Sequence, residues 1–322
     1  MLKQLLWVAL AVAVLVFGGI AGLAWLAPDT ATGLAVAAER RASGLSERRV
    51  TVDGLTWALL EGGPAGDTAP PLVLIHGFGG DKDNWTRVVR TLTQTQRVII
   101  PDLIGFGDSD KPPITAGYTV PQQTERLHRL LQQLGVNKLH LGGNSMGGWI
   151  ASTYAAAHPD AVLSLWLLAP AGVANADKSE MTRFMEAGGA LPLVVHDRAE
   201  FDARLDWVFG SAPPLPGFVR KTMTARAVAN AALHEEIRQQ LYGVSPPQET
   251  VLSDSPAAQL PALIVWGGKD RILHSSGAGV LRGLMPNSTS ILLPGVGHLP
   301  MVEQPRQCAA DYLKWRAGLL LP

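Results

Sequence analysis

The amino-acid sequence predicts an α/β fold in which a mostly parallel β-sheet is covered by helices on both faces. Two observations support this prediction. Short runs rich in Val, Ile and Leu alternate with helical segments in two stretches of the chain, and such continuously apolar strands are typical of sheets buried on both faces. Between these stretches, from residue 171 to 258, strand-like runs are absent and prolines separate short helical segments, so we expect a helical cap inserted into the core.

Residues 5–27 form an apolar segment without a charged side chain. At about 1.5 Å per residue it is long enough to cross a hydrocarbon core of roughly 30 Å, so we predict a transmembrane anchor over residues 1–27. A cleaved signal peptide is the alternative, but its apolar centre would be shorter and Pro28 discourages cleavage there. Lys3 and the terminal amine precede the apolar run, so the positive-inside rule predicts a cytoplasmic N-terminus. The bulk of the chain would then lie on the periplasmic side of the inner membrane.

Two further features belong to this membrane interpretation. Gly18 and Gly22 have G-x-x-x-G spacing, which would let two anchors approach closely and gives the hypothesis of a homodimer through this face. Residues 28–47 are expected to form a juxtamembrane helix whose charged run 39–41 lies at the lipid surface. A simple spacer helix is the alternative interpretation.

Charge and cysteine content exclude several classes of protein. The chain has 27 Lys and Arg residues and 27 Asp and Glu residues, so its formal net charge is 0 and no nucleic-acid surface is expected. Cys308 is the only cysteine, which excludes an internal disulfide and a cysteine-rich metal site. It lies in a helical pattern and is expected to be a small buried residue.

The predicted core begins with a hairpin, because strands 49–52 and 55–60 are joined across Asp53-Gly54, a favoured two-residue turn. Further strands are expected at 71–75, 97–100, 138–141, 162–168, 262–266 and 289–293. Helices are expected at 83–93, 119–134, 147–158, 277–285 and 305–317. The predicted organisation is an anchor at 1–27, a juxtamembrane helix at 28–47, core at 48–170, a cap at 171–258 and core again at 259–322.

The run Gly143-Asn-Ser-Met-Gly147 joins a predicted strand to a predicted helix. A serine hydroxyl is a poor nucleophile unless it is held at an exposed turn beside a base and backbone donors. The G-x-S-x-G pattern provides that turn, because small residues on both sides of Ser145 leave room for a strained backbone. Ser145 is therefore the candidate nucleophile.

Two residues that follow strands in the second part of the core are candidates for the base and its partner. His298 lies in a Gly-rich loop after strand 289–293, and Asp270 follows strand 262–266. Both can reach the sheet edge that holds Ser145, which predicts a Ser-His-Asp triad.

The early strand 71–75 runs into His76 and Gly77, which predict a loop for oxyanion stabilisation. In this interpretation the backbone amides of Phe78 and Met146 point at the negative charge that develops on the substrate. The loss of one such donor typically costs ~3 kcal/mol of transition-state stabilisation.

The remaining candidates fit these roles less well. Asp102 ends a strand but precedes the serine, and is expected to brace the active-site loops, whereas Asp108 and Asp110 are expected to be ordinary loop residues. The other histidines lie in helical, strand or cap contexts without flanking glycines: His128, His140, His158, His196, His234 and His274. Apolar cap residues are candidates for an acyl pocket or for simple packing: Met181, Phe184, Met185, Leu191, Leu193, Phe201, Trp207, Phe209 and Phe218.

Four motifs carry a family resemblance: HGFGGDKDNW at 76–85, GNSMGG at 143–148, WGGKD at 266–270 and GHLPMVEQP at 297–305. With these motifs the chain resembles the α/β-hydrolase superfamily, which also has the order nucleophile, acid, histidine along the chain. With the N-terminal segment included, it is similar to membrane-anchored bacterial lipases and phospholipases A and to anchored mammalian monoacylglycerol lipases. Asn144 departs from many relatives at the position before the serine, and the attack itself is not expected to depend on it.

The resemblance implies an eight-stranded sheet and a serine hydrolase that releases fatty acids from membrane glycerolipids through an acyl-enzyme, without a metal or other cofactor. The expected partners are lipid or fatty-acid ligands in the cap and the membrane bilayer. Two alternatives share the same triad: a carboxylesterase for small soluble esters and a hydrolase that cleaves carbon–carbon bonds of ring-fission products. A non-catalytic receptor on this fold is a third.

Overall fold

The computed structural model describes residues 22–319 and contains an eight-stranded sheet. The strands are β1 (Leu45–Val52), β2 (Leu55–Gly62), β3 (Leu72–Ile75), β4 (Val98–Pro101), β5 (Leu139–Asn144), β6 (Val162–Leu168), β7 (Ala262–Gly267) and β8 (Ser288–Leu293). Their order across the sheet is β1-β2-β4-β3-β5-β6-β7-β8. Strand β2 is antiparallel to both neighbours and the other pairs are parallel, so the predicted mostly parallel sheet is confirmed.

Helices cover both faces of this sheet. They are α1 (Pro28–Ala42), α2 (Thr86–Leu92), α3 (Val120–Gln133), α4 (Met146–Ala157), α5 (Glu180–Glu186), α6 (Arg198–Val208), α7 (Gly217–Ala229), α8 (Ala231–Val244), α9 (Gln248–Leu252), α10 (Gly277–Leu284), α11 (Pro300–Glu303) and α12 (Pro305–Ala317). Buried residues of α3, α4 and α10 form an apolar core on one face, and those of α2 and α12 form a second core on the other. Cys308 is buried in this second core, and burial raises the pKa of its thiol to about 12.

The first two strands form the predicted hairpin. Asp53 has φ 51° and Gly54 has φ 78°, and two positive φ values are what the favoured turn requires. Strand β1 begins at Leu45, because its ladder to β2 extends from Val52 and Leu55 back to Leu45 and Gly62. Residues 45–47, which the sequence analysis placed in the juxtamembrane helix, therefore belong to the sheet.

Helix α1 packs against both the cap and the core. The Thr222 hydroxyl of α7 donates to the Asp29 carboxylate at 2.6 Å, and the hydroxyls of Thr32 and Thr222 lie 3.2 Å apart. At the other end of α1, Arg40 donates two hydrogen bonds of 2.6 Å to Asp83. Arg40 therefore bonds to the core, and the position of the charged run 39–41 at a lipid surface stays a prediction.

Helices α5 to α9 lie between β6 and β7, where the sequence predicts the cap. Most of the predicted anchor, including Gly18 of the G-x-x-x-G pair, lies outside the described residues. Within residues 22–319, no helix is long and apolar enough to cross a membrane.

Candidate active site

Ser145 lies at a sharp turn between β5 and α4. Its φ of 54° and ψ of −121° belong to a region that residues with a side chain rarely adopt, as expected for a nucleophile elbow. The flanking glycines are required by space, because a Cβ at Gly143 would collide with the Gly147 backbone and one at Gly147 with the Ile75 carbonyl. The side chain of Ser145 is buried, and within residues 22–319 its hydroxyl donates no hydrogen bond.

The oxyanion loop, residues 76–80, follows β3 and passes close to this turn. A Cβ at Gly77 would lie 3.1 Å from the Ser145 Cβ, so the close approach depends on glycine. The Leu103 amide donates to His76 Nε2 at 3.0 Å, which leaves Nδ1 protonated to donate to the Gly77 carbonyl at 2.8 Å. Burial lowers the pKa of His76, so the ring is neutral and holds this peptide in place.

The carbonyl of Gly77 and the amide of Phe78 belong to one trans peptide, so they point in opposite directions. The Gly77 carbonyl is occupied by His76 and by the Gly80 amide at 3.1 Å. Met146 is the first residue of α4, where a backbone amide has no partner within the helix. Within the described chain, neither the Phe78 nor the Met146 amide donates a hydrogen bond.

His298 and Asp270 are in direct contact. The Nδ1 atom of His298 lies 2.8 Å from Asp270 Oδ2, and both side chains are almost fully buried. The other carboxylate oxygen of Asp270 accepts hydrogen bonds from the amides of Ile272 and Leu273, both at 2.9 Å. Three donors therefore fix the carboxylate in one orientation.

Asn144 connects the serine turn to the histidine loop. Its Nδ2 donates to the Leu168 carbonyl at 3.0 Å and to the His298 carbonyl at 3.1 Å. The amide of Ser145 donates to the same Leu168 carbonyl at 3.0 Å. The sequence analysis did not expect the attack itself to depend on this residue, and the structure adds a contact between Asn144 and the His298 backbone.

A buried ion cluster lies next to the oxyanion loop. The ammonium of Lys82 is fully buried and lies 2.7 Å from Asp102 and 2.6 Å from Asp108. Asp102 also accepts from the amides of Lys82 and Asp108, at 2.6 Å and 2.7 Å. Burial opposes the charge of Lys82, but the two carboxylates outweigh it and raise the pKa of the ammonium above its usual range. Asp102 braces the loops, as the sequence analysis expected. The sequence patterns indicated neither the buried ammonium of Lys82 nor its ion pair with Asp108.

The cap reaches the site at the C-terminal end of α6. The amide of His298 donates to the Val208 carbonyl at 2.8 Å. The Glu303 carboxylate accepts from the amides of Gly210 and Ser211 in the cap and of Gly297 in the histidine loop, at 2.7–3.0 Å. The last turn of α6 is therefore fixed directly to the loop that carries His298.

Apolar side chains of the cap cluster beside these loops. Met181 and Val208 pack with Ile272, which follows Asp270 by two residues. Partly buried residues complete this cluster: Met185, Leu191, Leu193, Trp207, Phe209, Leu273 and Leu299. Of the other apolar cap residues considered from the sequence, Phe184 is 43% exposed and packs at a tilt against Trp207, while Phe201 is fully buried.

The structure thus brings the sequence candidates together at one edge of the sheet. Ser145 and the oxyanion loop meet at β5 and β3, and His298 and Asp270 are joined to them through Asn144 and the strand ends of β6 and β7. His234, dismissed as a base, lies with its ring centroid 5.6 Å from that of Phe78. The helical context of His234 carries no sequence motif that could have revealed this proximity.

Comparisons with known proteins agree with the fold. Residues 70–305 match the family model described as the alpha/beta hydrolase fold. The chain is 38% identical to lipase 3 of Moraxella sp. (strain TA144) over 255 residues, covering 78% of this chain and 79% of the relative. It is 37% identical to lipase 1 of Psychrobacter immobilis over 287 residues, covering 87% of each.

A solved structure of a membrane phospholipase A, described as a bacterial virulence factor, superimposes with a TM-score of 0.87 at 43% identity and covers 99% of both chains. The residues matched by the family model include the turn at Ser145 and the loops of Asp270 and His298, and the solved structure covers nearly the whole chain. The chain belongs to the α/β-hydrolase family and is a carboxylic ester hydrolase.

Proposed function

We propose that this protein hydrolyses ester bonds of membrane glycerolipids, as a phospholipase A, lysophospholipase or lipase, with Ser145, His298 and Asp270 as its catalytic triad. The observation that carries this proposal is the buried His298–Asp270 pair beside a serine in elbow geometry. The names of the relatives, two lipases and a membrane phospholipase A, support lipid esters as the substrate class.

In the proposed mechanism, Ser145 Oγ attacks the ester carbonyl while His298 Nε2 accepts its proton. Asp270 holds the imidazole by its Nδ1–H and stabilises the imidazolium that forms. The amides of Phe78 and Met146 donate to the tetrahedral oxyanion, which they can do because no protein acceptor among the described residues competes for them. His298 then protonates the leaving alcohol, and water repeats the sequence on the acyl-enzyme.

The apolar cluster of the cap supports an acyl chain as the substrate group. It includes Ile272, two residues after Asp270, and Leu299, which directly follows His298. An acyl chain in contact with this cluster would place its ester carbonyl near the histidine loop. Each buried CH₂ group would contribute about 0.8 kcal/mol to binding, so long chains are expected to be favoured.

We also propose that residues 5–27 anchor the chain in the inner membrane, with the catalytic domain on the periplasmic side. Gly18 and Gly22 would form the contact face of a homodimer. The apolar sequence of the segment and the similarity to a membrane phospholipase A support this part of the proposal. Protease accessibility in spheroplasts tests the orientation, since a cytoplasmic catalytic domain would be protected.

The hydrolysis test uses the full chain in detergent and its Ser145→Ala variant. Short and long nitrophenyl esters, monoacylglycerols, lysophospholipids and diacyl phospholipids are offered, and released fatty acid is measured. We expect release from long-chain glycerolipids by the parent and a loss of at least about 10⁴-fold in the variant. Activity confined to short soluble esters would refute the lipid substrate, and undiminished activity of Ser145→Ala would refute the triad.

A further inference from the structure

Arg204 lies on the face of α6 that is turned to the active site. It is three residues after the fully buried Phe201 and four before Val208, so the three side chains share one face of the helix. The Val208 carbonyl is bound to the His298 amide at 2.8 Å. The position of Arg204 is therefore fixed one turn away from the histidine loop.

The guanidinium of Arg204 faces the oxyanion loop. A Cβ at Gly79 would lie 3.9 Å from Arg204 Nη1, and Gly79 follows Phe78 directly in the chain. The Arg204 Cζ atom lies 4.8 Å from the centroid of the Phe201 ring, so the guanidinium packs on the face of this ring. Its charge also contributes to the lowered pKa of His234, whose ring packs on Phe78.

This cation has no anionic partner among residues 22–319. Its neighbour Arg198 is exposed and lies 3.1 Å from Asp202, and Arg220 of α7 contacts the same carboxylate at 3.1 Å. No carboxylate in the described part of the chain lies within 4.0 Å of Arg204. Burial lowers the pKa of Arg204 to about 10, so it still carries its charge at neutral pH.

Arg204 is half-buried, and a charge that is partly withdrawn from water without a partner is less stable than a paired one. An anion supplied by the substrate would complete this pair only when the site is filled. Guanidinium suits an anion with several oxygens, because its planar fork can donate two parallel hydrogen bonds. In a glycerophospholipid, a few covalent bonds separate the acyl ester from the phosphodiester, so both groups can lie between the oxyanion loop and α6.

We propose that Arg204 binds the phosphodiester of a glycerophospholipid substrate while the acyl ester occupies the site formed by Ser145 and the Phe78 and Met146 amides. This inference rests on the proposed function and adds a head-group subsite to it. Arg204 selects phosphate-bearing lipids over neutral glycerides, which leave its charge without a partner. The carboxylate of a released fatty acid is the competing anion.

The test compares lysophosphatidylcholine and monoacylglycerol that carry the same oleoyl chain, in matched mixed micelles. We expect Arg204→Gln to lower kcat/KM for lysophosphatidylcholine by about 10- to 100-fold, the usual range for a charge-assisted hydrogen bond. The loss on monooleoylglycerol stays below about threefold, because that substrate makes no such bond. We expect Arg204→Lys to recover part of the kcat/KM lost on lysophosphatidylcholine. Lysine keeps the positive charge but lacks the planar guanidinium that donates two parallel hydrogen bonds.

Arg198→Gln is the matched control, because it removes an exposed arginine of the same helix. We expect both substrates to be hydrolysed at the parent rate. The melting temperature of Arg204→Gln is expected to equal or exceed that of the parent, because the variant removes an unpaired charge. A lower melting temperature with equal losses on both lipids would assign Arg204 a structural role and overturn the proposal.

Binding separates this proposal from the proposed function. In the Ser145→Ala background, Arg204→Gln is expected to weaken binding of lysophosphatidylcholine and to leave that of monooleoylglycerol unchanged. A change confined to inhibition by free oleate would assign the subsite to the fatty-acid carboxylate and overturn the phosphodiester assignment. A parent enzyme that binds lysophosphatidylcholine through Arg204 but hydrolyses neither lipid would refute the proposed function alone.

Discussion

The core and the cap contribute to the same site by different physical means. The core side consists of strand ends and tight turns whose residues are almost fully buried, such as Ser145, Asp270 and the Lys82–Asp102 pair. The cap side consists of short helices with many half-exposed residues, joined to the core by a few hydrogen bonds at Val208 and Glu303.

This difference suggests separate roles for the two regions, with the reacting atoms in the core and the choice of substrate in the cap. Buried backbone and closed ion pairs of the core fix the atoms that the proposed attack requires, and they leave little freedom for substitution. The cap places an apolar cluster beside Ile272 and Leu273, and Arg204 next to Gly79. Under the proposed function, substitutions at these cap residues would alter which substrate binds. Changes in the core should therefore abolish activity or folding, and changes in the cap should shift preference.

The largest effect is expected for Asp270→Asn. The side chain would keep its size and its contacts with the Ile272 and Leu273 amides, but would hold His298 in the wrong tautomer. We expect kcat to fall about 10⁴-fold with a nearly unchanged melting temperature. Steady-state kinetics and calorimetry check this prediction, and a loss of less than tenfold would contradict the assigned role of Asp270.

Breaking an ion pair of the core should lower the free energy of unfolding far more than breaking an ion pair of the cap. Lys82→Met leaves Asp102 buried without its cation, and we expect the free energy of unfolding to fall by about 3–5 kcal/mol. Lys178→Met breaks the exposed Lys178–Glu186 pair of the cap and should cost less than about 1 kcal/mol. Urea unfolding measures the loss of stability in both variants. Similar losses would contradict the proposed difference between buried core pairs and exposed cap pairs.

A smaller effect is expected for Asn144→Ala, which tests how the core holds the histidine loop. The variant leaves the carbonyls of Leu168 and His298 without their Asn144 donor, so we expect a loss of about 1–3 kcal/mol in stability. Because His298 loses one support, kcat should also fall, by about tenfold. Parent-like kcat in a destabilised variant would show that the cap contacts alone position His298.

The smallest effect concerns His234, where cap and core rings meet. Burial lowers the pKa of His234 to about 4, the hydrogen bond with the Gly105 backbone opposes this shift, and the charges of Lys111 and Arg204 act in the same direction as burial. Between pH 6.5 and about 4 the unfolded chain binds a proton that the folded chain does not, so stability falls as the pH drops through this window.

Replacement of His234 by Asn removes this contribution. Between pH 7.5 and 5.0 the parent should lose about 1–2 kcal/mol more stability than His234→Asn, as measured by urea unfolding at each pH. His196→Asn, at an exposed histidine, should behave like the parent. Equal pH dependence of the parent and His234→Asn would place the His234 ring in contact with water.

Several boundaries show how far local pattern determined the fold. The sequence analysis ended the elbow strand at Leu141, because the next residues are glycines that disfavour strands. The structure extends β5 to Asn144, because Gly143 pairs with Ile75 and Asn144 pairs with Leu168. Likewise, β1 begins at Leu45 because β2 offers a partner for each of its residues. Neighbouring strands thus override local propensity.

The sequence by itself determined the α/β architecture, the hairpin turn, the position of the cap and the candidates Ser145, Asp270 and His298. These features follow from local periodicity, glycine spacing and the rule that parallel strands end at one edge of the sheet. Only the tertiary structure decided which charges are paired. Lys82 meets Asp102 and Asp108, whereas Arg204 faces Gly79 without a carboxylate in the described chain, because these contacts join residues far apart in sequence. Long-range contacts leave no periodic signal in a single sequence.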